Sequence, residues 1–319
     1  MNISSAYLIV IICYLLFSNI SVFTQDVKYH GQLKVKEVNI LNKNNEIVVL
    51  KGVSFGWHNW WPRFYNSEIV KYLKEEWKCN VVRLAMGIEP ENGYLKNPDW
   101  SEALIEKVVE AAIENDIYVV VDWHSHNIYI KEAIDFFTKI AKKYGDKPHL
   151  IYEIFNEPER ISWEEVKRYS IEVINAIRQY DPDNIILVGC PHWDQDIHIV
   201  ADNPILDYEN IMYTVHFYAA AHKQPLRDKV VYALNKKIPI FVSECGAMNY
   251  DGNGSIDYDE WNKWMQLIYE NKLSWIAWSI ADKDETCSML NKTASSTGNW
   301  DEKEIKEWGK LVLKTLKSF

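Results

Sequence analysis

The sequence predicts a single-domain α/β protein, a (β/α)8 TIM barrel with a short N-terminal β-hairpin, and three observations carry that prediction. Strand-like and helix-like segments alternate from Ser67 onward, eight strands can be counted from 49–55 to 275–279, and most of those strands stop on a polar side chain. Parallel strands joined by helices close into a barrel whose functional groups gather at the C-terminal strand ends. At 319 residues the chain has a length that α/β barrels reach as one unit.

The elements follow in order. Residues 33–41 and 47–55 are two strand-like runs, and the turn formers Asn42-Lys43-Asn44-Asn45 between them predict a hairpin. Segment 67–77 places Ile69, Val70, Leu73 and Trp77 at helical spacing, and 80–84 is a strand carrying Arg83. Segment 100–114 is a helix with Leu104, Val108, Ala111 and Ala112 on one face. Strand 118–121 runs into Asp122-Trp123-His124, and helix 131–144 comes next. Then comes Ile151-Tyr152-Glu153-Ile154-Phe155-Asn156-Glu157-Pro158, a run of strand formers that must turn outward because Pro158 cannot continue a ladder. Helix 163–180 opens on Ser162 with Glu165 three positions on, a capping box. Strands at 185–188 and 211–217, a helix at 225–235 and a strand at 240–243 ending in Glu244 come after it. A helix at 256–269, a strand at 275–279 and a helix at 301–319 close the chain.

Composition narrows the class. Apolar residues make up 48%, enough for a large core, and 14 Trp with 19 Tyr exceed what packing alone usually calls for. Sugar rings lie with their apolar faces on aromatic planes, which is one use for so many. A net charge of −10 without a basic stripe argues against a nucleic-acid partner, whose phosphates need neutralising. Residues 1–25 carry no charged side chain, and 6–17 is an unbroken apolar run, too short to span a bilayer comfortably. Residues 1–24 are expected to be a secretory signal peptide, an uncleaved anchor being the alternative. Residues 25–319 would then be a secreted, extracellular catalytic domain, not membrane-bound after signal removal and acting as a monomer. Cys79, Cys190, Cys245 and Cys287 remain after the signal, and four cysteines allow three complete pairings. At most one bridge is expected, Cys245–Cys287, with Cys79 free. No metal or cofactor motif is present, and Asn253-Gly254-Ser255 and Asn291-Lys292-Thr293 are glycosylation sequons.

Two strands deliver a carboxylate to their ends, Glu157 and Glu244. Cleavage of a glycosidic bond requires such a pair, one carboxyl as proton donor and one as nucleophile or base. Arg83, His124, Asn156, His216, Tyr218 and Trp278 also fall at strand ends, and a closed barrel would bring them to one mouth. Each has a purely structural reading as well: an ion pair for Arg83, a hydrogen-bonded core imidazole for His124 or His216, packing for Trp278.

Together these residues resemble glycoside hydrolase family 5, the cellulase family, in its secreted endo-β-1,4-glucanase branch, over nearly all of the chain after Gln32. Asn156-Glu157-Pro158 is similar to the family's acid/base motif and Glu244 to its nucleophile, with Arg83, His124, Asn156, His216, Tyr218 and Trp278 matching its other recurring positions. Trp193-Asp194-Gln195-Asp196 resembles the platform loop after strand five, and Asp282-Lys283-Asp284-Glu285 the sugar-binding loop after strand eight. The stretch Phe55-Gly56-Trp57-His58-Asn59-Trp60 departs from the commoner bacterial pattern, as does Cys245.

The resemblance implies hydrolysis with retention of a β-1,4-linked glucan through a covalent glycosyl-enzyme. Glu244 would attack the anomeric carbon, kept ionised by Arg83 and oriented by Tyr218. Glu157 would start protonated, its pKa raised by the second carboxylate, and Asn156 would donate to the sugar 2-hydroxyl. His124 and His216 would orient hydroxyls or a carboxylate. Trp278 would lie beneath the reacting sugar, with Trp60 and Trp193 as platforms on either side and Lys283 and Glu285 reading hydroxyls. Two rival readings share the scaffold. One is another β-glycanase (mannanase, xylanase or xyloglucanase), since specificity lives in loops; the other is a non-catalytic carbohydrate-binding barrel.

Overall fold

The computed structural model describes residues 26–318, so the signal segment expected at 1–24 lies outside the described residues. Eight parallel strands close the barrel: β4 (Lys51–Phe55), β5 (Val81–Gly87), β6 (Tyr118–His124), β7 (Leu150–Glu153), β8 (Ile186–Val188), β9 (Ile211–Tyr218), β10 (Ile240–Gly246) and β11 (Ser274–Ile280). The ring order is the chain order, and β11 returns to pair with β4. Gly52 makes one of these pairings possible, because a Cβ there would sit 1.8 Å from the Val81 carbonyl oxygen.

The helices cover the outside of the ring. They are α1 (Val27–His30), which precedes the barrel, then α2 (Ser67–Glu75), α3 (Pro98–Glu114), α4 (Ile130–Tyr144), α5 (Trp163–Arg178), α6 (Ile197–Asp202), α7 (Gln224–Asn235), α8 (Tyr258–Glu270) and α9 (Glu307–Ser318). From α2 onward each buries several apolar side chains, as α4 does with Phe136, Phe137 and Ile140, whereas α1 buries Val27 alone. The capping box of α5 forms as its sequence predicts. The last helix starts later than predicted. Residues 301–306 are instead drawn against the barrel by a bridge between Leu290 and Ile305 and by the Lys306 amide donating to the Met289 carbonyl.

The hairpin is more elaborate than the sequence suggests. Segment 33–41 folds back on itself as β1 (Lys34–Lys36) and β2 (Asn39–Leu41), with Glu37 taking a left-handed φ of 52° in the turn. Segment 47–55 divides into β3 (Ile47–Val48), which pairs with β2, and the barrel strand β4. Neither break has a Gly or Pro to announce it.

This small sheet closes the bottom of the barrel. Leu33, Ile40, Val48 and Leu50 pack with Val81, Tyr118, Val120, Ile151, Leu187, Met212, Phe241 and Ile276 in one buried cluster. Two residues further along the same strand faces the inward side chains become polar: Arg83, Asp122, Glu153 and Thr214. The cylinder is therefore apolar at its floor and ionic at its mouth. Burial of each floor side chain contributes about 1.5–3 kcal/mol, which offsets the cost of desolvating the charges above.

Candidate active site

Arg83 sits at the centre of the mouth with no exposed surface. Its guanidinium donates to Glu153 (Nε to Oε2 2.6 Å, Nη2 to Oε1 3.3 Å), to Asn156 Oδ1 at 2.7 Å and to Glu244 Oε2 at 3.2 Å. Its Nη2 also lies 3.0 Å from Asp122 Oδ2. Burial disfavours its charge, but Asp122, Glu153 and Glu244 more than restore it, so it stays cationic.

Glu244 is held by both oxygens. Tyr218 donates its hydroxyl to Oε1 at 2.7 Å while Arg83 holds Oε2. A β-bulge makes this possible. The β9–β10 register slips between Phe241 and Glu244, so Ser243 and Glu244 both reach the interior although they are neighbours in sequence. Cys245 consequently faces the other way, where its thiol bonds the Ile276 carbonyl at 3.3 Å, while the Cys287 thiol lies 3.2 Å from Glu285 Oε1. The Cys245–Cys287 bridge weighed from the sequence therefore does not form, and all four described cysteines are free and buried.

Glu157 leaves β7 at the corner before Pro158, its amide bonded to the Ser125 carbonyl. Its Oε1 lies 2.9 Å from His216 Nδ1, and one carboxylate oxygen of Glu157, one nitrogen of His216 and one carboxylate oxygen of Glu244 fall within 4.8 Å of one another. Among the described residues this is the one group of three whose atoms are close enough to share a cation. Arg83, Tyr218 and Ser243 already bond two of its members.

The protonation pattern departs from two expectations, that a second carboxylate raises Glu157 and that Arg83 holds the Glu244 carboxyl down. Burial does push Glu157 up, but the hydrogen bond and charge of His216 outweigh it, and the carboxyl lies below its ordinary range. Burial likewise pushes Glu244 up; there His216, Arg83 and Tyr218 oppose it, Glu157 adds to it, and the net direction is upward. His216 is raised well above the usual imidazole range, since Asp194, Glu153 and Glu157 overcome its burial. Of this pair His216 is therefore the group that favours the proton, one 2.9 Å hydrogen bond from Glu157. His124 behaves oppositely. Burial and the Arg83 charge keep it neutral, its Nδ1 is 2.6 Å from Asp122 Oδ2, and its ring stacks on Trp278 at 5.2 Å and 6°.

The cleft over these groups has two chambers. The smaller, about 210 Å3, is walled by Trp57, Trp60, Trp61 and Trp278 and holds His124, Glu244, Lys283 and Glu285. The larger, about 580 Å3, is lined by His126, His192, Trp193, His216 and His222. His126, Glu157, Tyr218 and Tyr250 border both. Lys283 and Glu285 pair at 2.5 Å at the rim. A cavity of about 730 Å3 between β1 and the loops at 204–210 and 237–239 is larger, but it lies at the floor end, away from the carboxylates.

The structure thus brings together every residue the sequence singled out, with Trp60 and Trp193 on opposite chambers. Reading the sequence alone gave no role to Glu153 or to Asp122 as partners of Arg83, or to Trp57, Trp61, His126, His222 and Tyr250 as lining. Strand periodicity could have found the first two, since Arg83, Asp122 and Glu153 all fall on inward positions.

A model of the cellulase family (glycosyl hydrolase family 5) matches residues 41–284. The chain belongs to glycosyl hydrolase family 5. Members similar to it include an endoglucanase of Clostridium saccharobutylicum, 41% identical over 295 residues that cover 90% of this chain and 65% of that protein. Endoglucanase Z of Dickeya dadantii is 42% identical over 274 residues, 84% of this chain and 62% of that protein. The chain therefore spans less than two thirds of the length of either. Among solved structures, the catalytic domain of Thermobifida fusca endoglucanase Cel5A matches with a TM-score of 0.86 and 30% identity, covering 91% of this chain and 99% of that one. A substituted form of that catalytic domain has also been solved in complex with cellotetraose.

Proposed function

We propose that the chain is a retaining endo-β-1,4-glucanase in which Glu244 is the nucleophile and Glu157 the acid/base. The observation that carries this reading is the closeness of the two carboxyl groups, one oxygen of each lying within 4.8 Å of the other. Double displacement uses carboxyls about 5–5.5 Å apart, whereas an inverting pair stands about 6.5–9.5 Å apart to admit a water. The similarity to proteins named endoglucanase supports a β-glucan as substrate.

In this mechanism the reacting sugar occupies the smaller chamber, on Trp278, with its anomeric carbon facing Glu244. The leaving sugar extends over Trp193 in the larger chamber, and the glycosidic oxygen lies between them, beside Glu157. As Glu244 attacks, the proton shared by His216 and Glu157 passes through Glu157 to the departing oxygen. Arg83 and Tyr218 then release their hold on the charge of Glu244 as it becomes an ester. A water entering from the larger chamber gives its proton to Glu157, attacks the anomeric carbon and frees Glu244. Asn156, positioned by Arg83, serves the 2-hydroxyl.

The chain is further read as secreted through residues 1–24 and monomeric, with Asn253 on an exposed loop the better placed of its two sequons. The Asn291 amide donates to the Lys303 carbonyl at 2.7 Å, a shorter bond than the 3.5 Å contact of the Asn253 amide with the Asp251 carbonyl.

The test is reducing-sugar release from carboxymethyl cellulose and mixed-linkage β-glucan against mannan, xylan and xyloglucan, with Glu157→Ala and Glu244→Ala as controls. Release from the glucans, and loss of about 1,000-fold or more in each variant, is expected; preference for mannan or xylan, or activity surviving both substitutions, would refute the reading. Trp193→Ala is expected to raise KM for cello-oligosaccharides about 5–50-fold with a smaller change in kcat.

A further inference from the structure

Asp194 is a further buried acid at the mouth that the mechanism above does not use. It has no exposed surface and follows His192 and Trp193 in a run of three left-handed residues (φ 61°, 52° and 59°). This run presents Trp193 to the larger chamber and Asp194 to the barrel interior. One carboxylate oxygen, Oδ1, accepts the Cys190 amide and fixes the loop. The other, Oδ2, is buried without a hydrogen bond and lies 3.3 Å from His216 Nε2. The same Nε2 has its aligned hydrogen bond with Ser243 Oγ at 2.9 Å, so Asp194 meets the imidazole as a charge and not as the directional contact. Burial pushes the Asp194 carboxyl well up from its ordinary range, with the His216 charge and the Cys190 amide opposing it, so the two groups hold one another's charge. The opposite ring nitrogen meets Glu157 Oε1 at 2.9 Å.

We propose that Asp194 is a positioning residue that keeps His216 charged with the proton Glu157 delivers to the leaving sugar. This rests on the glycosidase reading of the site. Other charged groups reach His216 from all sides: Glu153 and Glu157 from β7 and its end, Glu244 from β10, Arg83 from β5, Asp122 and His124 from β6, and His222 beyond β9. Glu153 is already committed to Arg83, and Glu244 to Arg83 and Tyr218. Arg83, moreover, opposes a second positive charge. Asp194 is therefore the acid whose free oxygen is given over to His216. The proton moves without any net transfer of electrons: His216 Nδ1 gives it to Glu157, Glu157 gives it to the glycosidic oxygen as the carbon–oxygen bond breaks, and water restores it in the second step.

The experiment is the pH dependence of kcat/KM for Asp194→Asn, which keeps an oxygen for the Cys190 amide and removes the charge. Two substrates separate chemistry from fold: cellotetraose, whose leaving sugar needs a proton, and dinitrophenyl β-cellobioside, whose phenolate departs without one. With cellotetraose the basic limb should move down by about one pH unit, a loss of roughly tenfold above it. The loss on the aryl glycoside should be at least about fivefold smaller. An unmoved limb, or equal losses on both substrates, would overturn the proposal. In the unaltered protein, 15N NMR should show the His216 ring doubly protonated near about pH 7, and a neutral ring would overturn it whatever the variant does. If the unaltered protein cleaved neither substrate, the glycosidase reading would fail and the NMR result alone would decide the role of Asp194.

Discussion

Arg83 shows how one side chain can hold a site together and hide most of it from sequence reading. Its single charge faces Asp122, Glu153 and Glu244, all buried. Removing one partner of such a set leaves uncompensated charge in the interior, so Arg83→Met should cost about 3–5 kcal/mol in urea unfolding, and a cost under about 1 kcal/mol would show that the carboxyls reorganise without it. Glu157 and Glu244 were legible in the sequence because each follows an apolar run, Glu157 at the corner before Pro158 and Glu244 among the last three residues of β10. Asp122 and Glu153 were not, because the residue that gives them meaning is brought to them only when the barrel closes, Arg83 lying 70 positions before Glu153. The location of the proton was the least legible feature. It depends on whether His216 or a second carboxylate lies nearer to Glu157, and that is a matter of ångströms.

Among the elements, periodicity identified the barrel strands and their helices because an amphipathic stripe and a buried run are both written in side-chain order. Two things escaped it. The bulge in β10 breaks the alternation where it matters most, so that a strict period of two would have sent Glu244 outward whenever Ser243 pointed in. The β1–β2 turn at Glu37 uses a left-handed residue that is not glycine, which sequence rules assign only weakly. The loop that carries Glu157 is anchored downstream by α5, whose cap Ser162 accepts the Glu165 amide on an exposed corner. Ser162→Ala should lower stability by about 1 kcal/mol and leave kcat unchanged, as read by thermal unfolding and by turnover. A fall in kcat would mean that the cap also sets the position of Glu157.

The whole molecule divides into an apolar floor and a charged mouth, and that division fixes how its stability depends on acidity. Burial lowers His58 and His222 from 6.5 to about 4, so both remain neutral in the fold at pH values where the unfolded chain binds their protons. Their contribution is therefore lost as pH falls from 6.5 toward 4. Glu153, which burial alone would raise, is brought by Arg83 and His216 down to about 2, and its contribution is lost from 4.5 toward that value. Asp122, Asp194 and Glu244, which burial raises, work in the opposite sense, so the test is a difference. His222→Gln should lose less of its urea midpoint than the unaltered protein between about pH 6.5 and about pH 4, and equal losses would contradict the burial of that imidazole. At this scale the sequence conveyed the class of fold and the direction of the strands, because eight strand–helix units admit few other closures. It could not convey which cavity matters, since the floor cavity is larger than either chamber of the mouth. The central claim is that Glu157 and Glu244 act in turn on a single sugar ring, and the most direct test follows cellotetraose hydrolysis by 1H NMR from the first turnovers. The account predicts that the β-anomer appears first and mutarotates later; an α-anomer released first would contradict it.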